Sequence, residues 1–110
     1  MNKEIEKFIK KENEERNLYD ESLCGGVTGF MVLEDEEANL VDEAIRLYKL
    51  PFEISEHKNK IIDCETDDSY DVEEGLSYIY EAILEDNGEL LDKYMNVDNQ
   101  KKLYKLLIWA

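Results

Sequence analysis

The sequence predicts a mainly helical α+β fold with a small antiparallel sheet, in the order α-β-α-β-β-α-α-α. Three observations predict it. Apolar residues recur at helical spacing along most of the chain. One stretch, "FEISEHKNKIIDC" at 52–64, alternates apolar and polar residues around a polar turn. Only one Pro and five Gly interrupt the 110 residues, so connections are short. A single domain over 1–110 is long enough to bury a core without disulfide or metal support.

Residues 3–19 read as a charged helix with Ile5, Phe8 and Ile9 as its apolar stripe. The stripe stops at Ile9, so the second half is expected to be exposed. "CGG" at 24–26 marks a turn, and the β-branched "VTGFMVL" at 27–33 reads as a short buried strand. The second helix, 36–50, sets Leu40, Val41, Ala44, Leu47 and Tyr48 on one face. Its acidic first turn suits the helix dipole, and Pro51 marks its end. Phe52 and Ile54 then alternate with Glu53 and Ser55, "EHKN" turns, and "KIIDC" returns as the second arm of a hairpin. The third helix starts near Asp71, with Glu74 as its capping-box partner and Leu76, Ile79, Tyr80 and Ile83 on its buried face. "NG" at 87–88 stops it. A short helix at 89–95 carries Leu90, Leu91 and Tyr94. Asp98 caps a last helix bearing Leu103, Leu106 and Leu107.

Charge is the extreme property. Asp and Glu total 28 against 13 Lys and Arg, for a net charge of -15. Residues 22–92 hold 20 of the acids and four of the bases, whereas 93–110 is net +3. An acidic field of this size repels nucleic acid and anionic membranes and attracts basic protein surfaces. It also strains the compact state by self-repulsion, which favours a use for it over mere solubility. Cys24 and Cys64 stand 40 residues apart and form no disulfide framework or metal knuckle. The first residues lack the apolar core of a signal peptide, and no apolar run has membrane-spanning length. A reducing cytoplasm is expected, that of the host cell if a phage encodes the chain.

The stretch "DCETDDSYDVEE", 63–74, holds seven carboxylates and no base. Counted from Asp63, it puts Glu65, Asp67, Asp71 and Glu74 at positions 3, 5, 9 and 12 of a calcium loop. The match fails where geometry is least forgiving: position 6, which turns sharply and is normally Gly, is Asp68. The expected site has no metal and no cofactor. Cys24 and the lone His57 have no spacing that suggests a nucleophile and base; His57 is expected to be exposed, and Cys64, alternating with Ile62, to be buried. Carboxylate pairs are too plentiful to mark an acid and a base, and there is no Gly-rich phosphate loop. The chain is therefore read as a non-enzyme. Lys93, Lys101, Lys102 and Lys105 are expected to pair with the acidic middle, and Trp109 to be core or an interface anchor.

What remains is the pattern of acids. Glu34, Asp35, Glu36, Glu37, Asp42 and Glu43 form one segment; Asp63, Glu65, Asp67, Asp68, Asp71, Glu73 and Glu74 form another; Glu81 and Glu85 extend it along one outward helical face. These fifteen residues are the expected partner-binding set. In size and charge the chain resembles the small acidic inhibitors that phages and mobile elements encode against nucleases and CRISPR effectors. No motif assigns it to a named family, so no residue roles carry over. The expected function is inhibition by nucleic-acid mimicry, the partner being a basic, nucleic-acid-binding protein rather than nucleic acid itself. Two alternatives share the same physics: an immunity protein that neutralises a basic toxin, and an acidic housekeeping interaction domain.

Overall fold

A computed structural model describes residues 1–22 and 32–110, the side chains of 19–22 excepted. Within them lie five helices, α1 (Lys3–Ser22), α2 (Asp35–Leu47), α3 (Val72–Glu85), α4 (Glu89–Tyr94) and α5 (Val97–Trp109). Between α2 and α3 run three short strands, β1 (Phe52–Ile54), β2 (Lys60–Asp63) and β3 (Ser69–Asp71). They pair antiparallel in the order β1-β2-β3. The fold is α+β and mainly helical, as the patterning predicts.

One buried cluster draws on all five helices and on the middle strand. Helix α2 contributes Leu40, Val41, Ala44 and Ile45, and α3 contributes Leu76, Ile79 and Ile83, the faces that the 3.6-residue period assigns. Leu47, Tyr48 and Tyr80 are partly buried against this core. Ile61 projects from β2 into the helical layer. It packs against Gly75, where an added Cβ would lie 2.6 Å from the Ile61 Cβ. Gly75 therefore lets α3 lie directly on the sheet, although glycine costs about 1 kcal/mol inside a helix.

Local chemistry moves several boundaries. Helix α2 stops three residues before the expected position because Lys49 takes a left-handed φ of 51°. The Leu50 N–H then reaches back to the Ile45 carbonyl at 3.0 Å, a Schellman-type closure. Helix α3 does stop at "NG", where Asn87 and Gly88 both have positive φ. Asp86 organises the turn into α4: its carboxylate accepts from the N–H groups of Gly88 (2.9 Å) and Leu90 (3.2 Å) and from the Tyr48 hydroxyl (2.8 Å). Burial, then Asp86, raises the Tyr48 phenol above its usual range.

Four expectations need correction. The α5 N-cap is Asn96, whose side chain accepts from the Asn99 N–H at 2.8 Å; Asp98 lies inside the first turn. The second half of α1 is not wholly exposed: Glu12 is buried and accepts from the Trp109 indole at 2.7 Å, joining α1 to α5. Trp109 itself sits at the edge of the core with 38% exposure. Cys64 is exposed rather than buried, because Ile61 and not Ile62 faces α3, and Cys64 shares the outward face of Ile62 and Glu53. Of the strand expected at 27–33, residues 27–31 lie outside the described residues, as does Cys24. Val32 and Leu33 are not in a strand; the Leu33 N–H bonds the Lys58 carbonyl at 2.9 Å.

Candidate partner-binding surface

All fifteen expected site residues reach solvent. Glu37, Asp42, Glu43 and Asp63 are partly covered, and the other eleven are exposed. They divide by how their charge is compensated.

The first group runs from the start of α2 to its middle, and of its six members Glu43 alone has no side-chain bond or ion pair among the described residues. Asp35 pairs with Lys58 at 2.9 Å, Glu36 with Lys102 at 2.7 Å, and Asp42 with Arg46 at 2.9 Å. The Lys58 bond and charge lower the Asp35 pKa, and Glu36 raises that of Lys102. The Glu34 N–H donates to Glu37 Oε1 at 2.9 Å, the reach-back bond of a capping box. This group thus starts a helix and ties it to the 55–59 turn and to α5.

The second group lies on the β2–β3 hairpin and on α3. The tip is tightly turned: the Asp63 N–H bonds the Asp68 carbonyl and the Asp67 N–H bonds the Asp63 carbonyl, both at 2.8 Å. Asp67 takes a φ of 60°, a conformation that Asp tolerates better than most residues. The Asp63 side chain accepts from the Glu65 N–H at 2.9 Å. The element order expected from the sequence has no strand after the 52–64 hairpin, and here it needs correction. Ser69–Asp71 is a strand, paired through Ile61↔Tyr70 and Ile62↔Ser69. The capping box expected at Asp71 and Glu74 is absent as well. The Asp71 side chain turns to Lys60 at 2.6 Å and makes no cap bond.

Asp71 is the one member of this second group with an ion-pair partner among the described residues. Glu65, Asp67, Asp68, Glu73, Glu74, Glu81 and Glu85 have none. The sequence explains why: 61–92 contains twelve acids and no Lys, Arg or His. The four C-terminal lysines do not reach this group. Lys102 goes to Glu36, Lys101 to Glu4, and Lys93 lies over the Tyr94 ring at 5.3 Å. Among the described residues no group of three or more His, Cys, Asp or Glu is arranged to hold a metal ion.

Pattern reading missed three aromatic residues in the second group. Residues 74, 78, 81 and 85 form one exposed helical stripe, so Tyr78 stands between Glu74 and Glu81. Its ring packs on Phe52 at 6.4 Å, roughly parallel, and meets Tyr70 edge-on at 5.3 Å. The Tyr78 hydroxyl lies 3.4 Å from Glu74 Oε1. Glu74, followed by partial desolvation, raises the Tyr78 pKa; for Tyr70 partial desolvation leads, followed by Asp68 and Asp63. Both phenols stay protonated donors at neutral pH. The i, i+4, i+7 spacing of Glu74, Tyr78 and Glu81 was visible in the sequence and would have found Tyr78.

The remaining chemical groups offer little. Partial desolvation, with Glu53, Asp63 and Asp67 nearby, raises the Cys64 thiol pKa, the wrong direction for a nucleophile. His57 is exposed in the hairpin turn. A cavity of about 450 Å³ lies between α2 and α5, floored by Leu40, Leu106 and Trp109 and walled by Glu36 and Lys102, which neutralise each other. No described helix is long and apolar enough to cross a membrane. Comparison with protein-family models, with curated proteins and with solved structures finds no match.

Proposed function

We propose that this protein is a small acidic inhibitor that occupies the basic nucleic-acid-binding surface of a partner protein, acting in the cytoplasm as an anti-defence or anti-CRISPR factor. The observation that carries the reading is the uncompensated acidic surface of the hairpin tip and α3. Seven exposed carboxylates there have no cationic partner among the described residues. Leaving so many like charges unpaired costs stability, whereas five of the six acids of the α2 segment, Glu43 excepted, are bridged or part of the capping box. An external cation-rich surface would supply the missing partners.

The geometry suits a nucleic-acid-binding groove. Glu74, Glu81 and Glu85 repeat along α3 at about 10 Å and about 6 Å of axial rise. Neighbouring phosphates of one strand are separated by about 3.4 Å of axial rise plus the lateral path around the helix, so the Glu81–Glu85 step is of the same order. The hairpin tip, held by two backbone bonds, adds Glu65, Asp67 and Asp68, and Asp68 and Glu74 both act electrostatically on Tyr70. Such a field accelerates encounter with a basic partner and makes association salt-dependent.

The test uses the immobilised protein and a host lysate treated with nuclease, loaded at low salt and eluted with high salt. The reading requires eluted proteins that bind DNA or RNA, and that an oligonucleotide displaces from the immobilised protein. A Glu65→Lys/Asp68→Lys variant should fail to retain them. Retention by that variant at wild-type level, with its fold intact, would overturn the reading.

A further inference from the structure

The acidic surface contains an aromatic patch at the margin of the core. The α3 residues Leu76, Ile79 and Ile83 are fully buried, whereas Tyr78 is 40% exposed. The strand register puts Phe52, Ile61 and Tyr70 on the sheet face that meets α3. Ile61 fills the centre, and Phe52 and Tyr70 reach the rim, where Tyr78 closes over them. The rim therefore shows aromatic surface next to carboxylates. The Tyr78 hydroxyl is 3.4 Å from Glu74 Oε1, and Asp68 and Asp63 act electrostatically on Tyr70.

Charge selects among the possible occupants. A second copy of this chain would bring its own net charge of -15 to the patch, and an anionic membrane would be repelled in the same way. A cationic side chain gains from both parts of the surface. Between the two common cations, guanidinium fits better. It is planar, stacks on aromatic faces and offers paired N–H donors to a carboxylate, whereas ammonium is a compact, strongly hydrated point charge.

We infer that the Phe52–Tyr70–Tyr78 rim, with Glu74 and Asp68, is a docking point for an arginine side chain of a basic protein partner. This inference rests on the proposed function and refines it. The acids draw in any basic surface, and the aromatic rim prefers arginine over lysine.

Hexa-arginine and hexa-lysine peptides, matched in charge, separate the two contributions when titrated calorimetrically at low salt. Hexa-arginine should bind the wild-type protein about three- to tenfold more tightly, the range expected of one stacked cation. Tyr78→Ala should bring the two affinities together, and Tyr78→Phe, which keeps the ring, should preserve the preference. Glu65→Lys/Glu85→Lys, which leaves the rim, Glu74 and Asp68 untouched, should weaken both peptides alike and leave their ratio standing. Equal affinities for the wild type would overturn the inference whatever the variants do, and so would a ratio unchanged by Tyr78→Ala. Equal affinities that both collapse in Glu65→Lys/Glu85→Lys would remove the aromatic preference while leaving the acidic-surface reading intact. Absence of binding by both peptides would also overturn the inference.

Discussion

Two acidic segments of similar composition have different fates in this fold. The acids of the α2 segment, Glu43 excepted, are consumed internally. Three hold Lys58, Lys102 and Arg46, and the Glu37 carboxylate closes the first turn on the Glu34 N–H. The acids of the hairpin tip and α3 hold one base, Lys60, through Asp71. Residue counts do not distinguish the segments; the placement of bases does. Lys58 and Lys102 come from elements that pack beside α2, and nothing basic lies between Lys60 and Lys93. Acid content alone is therefore a poor marker of an interaction surface. An acid cluster without compensating bases, on a firmly held element, is a better one.

The largest expected effect tests what holds the second segment in place. Ile79 is fully buried on α3. Ile79→Ala should cost about 2–5 kcal/mol in denaturant unfolding. A loss near zero would mean that α3 is not fixed by its apolar face, and the rigid acidic stripe would go with it.

Next comes the difference between the segments themselves. Glu65→Lys/Asp68→Lys should weaken binding to a basic partner by about 2 kcal/mol or more, mainly by slowing association, with the loss shrinking at high salt. Its stability should be unchanged or higher, because like charges are relieved. Asp67 is left alone in this variant, since Lys is less suited than Asp to its positive φ. Glu36→Lys/Glu37→Lys should do the reverse. It removes an ion pair and the reach-back cap, so stability should fall by about 1–2 kcal/mol while binding changes less. If the α2 variant loses binding and the hairpin variant does not, the assignment of the two segments is inverted.

Much of this was legible in the sequence, for identifiable reasons. The buried faces of α2 and α3 follow from apolar spacing, which tertiary context left intact. The hairpin at 52–63 follows from alternation around a polar turn. Strand β3 was not legible, because "SYD" sits inside an acidic run and is held by pairing with β2, a non-local interaction. For the same reason Asp71 looked like a cap: its competing partner, Lys60, is eleven residues away and adjacent only once the strands pair. Cys64 was misplaced because two adjacent isoleucines leave the inward face of β2 ambiguous: Ile61 is buried, and Cys64 follows Ile62 on the other face. Within the candidate surface the exposed acids were readable by charge. Which of them were already neutralised was not, since that depends on where helices α2 and α5 meet.

Salt offers a weaker test of the same contrast. Screening loosens the α2 ion pairs and relieves repulsion on the hairpin and α3. Exposed pairs contribute little, about 0–1 kcal/mol each, and the net charge of -15 favours relief. The thermal midpoint should rise from low to moderate sodium chloride. The rise should be smaller in Glu65→Lys/Asp68→Lys. A midpoint that falls steadily would mean that the ion pairs outweigh the unpaired surface.

The smallest expected effect lies in the titration of Tyr78 and Asp35, where the two segments shift pKa in opposite directions. Lys58 lowers the Asp35 pKa. Whatever Asp35 contributes to stability is therefore present above the unfolded carboxylate pKa and lost as pH falls through the folded one. Glu74, with partial desolvation second, raises the Tyr78 pKa. The folded phenol keeps its proton where the unfolded one would lose it. That contribution is complete below the unfolded tyrosine value of about 10 and is lost as pH rises through the folded value. Glu74→Gln removes the charge and should bring the Tyr78 titration closer to its ordinary position. Tyrosinate absorbance read across alkaline pH, with Tyr78→Phe to assign the step, measures it. The same replacement should leave the Asp35 titration unmoved, since Lys58 and not Glu74 controls it. A Tyr78 step that stays in place in Glu74→Gln would show that desolvation outweighs the neighbouring carboxylate. The rim would then be aromatic surface that merely lies close to acids, without the electrostatic coupling that distinguishes it from the α2 segment.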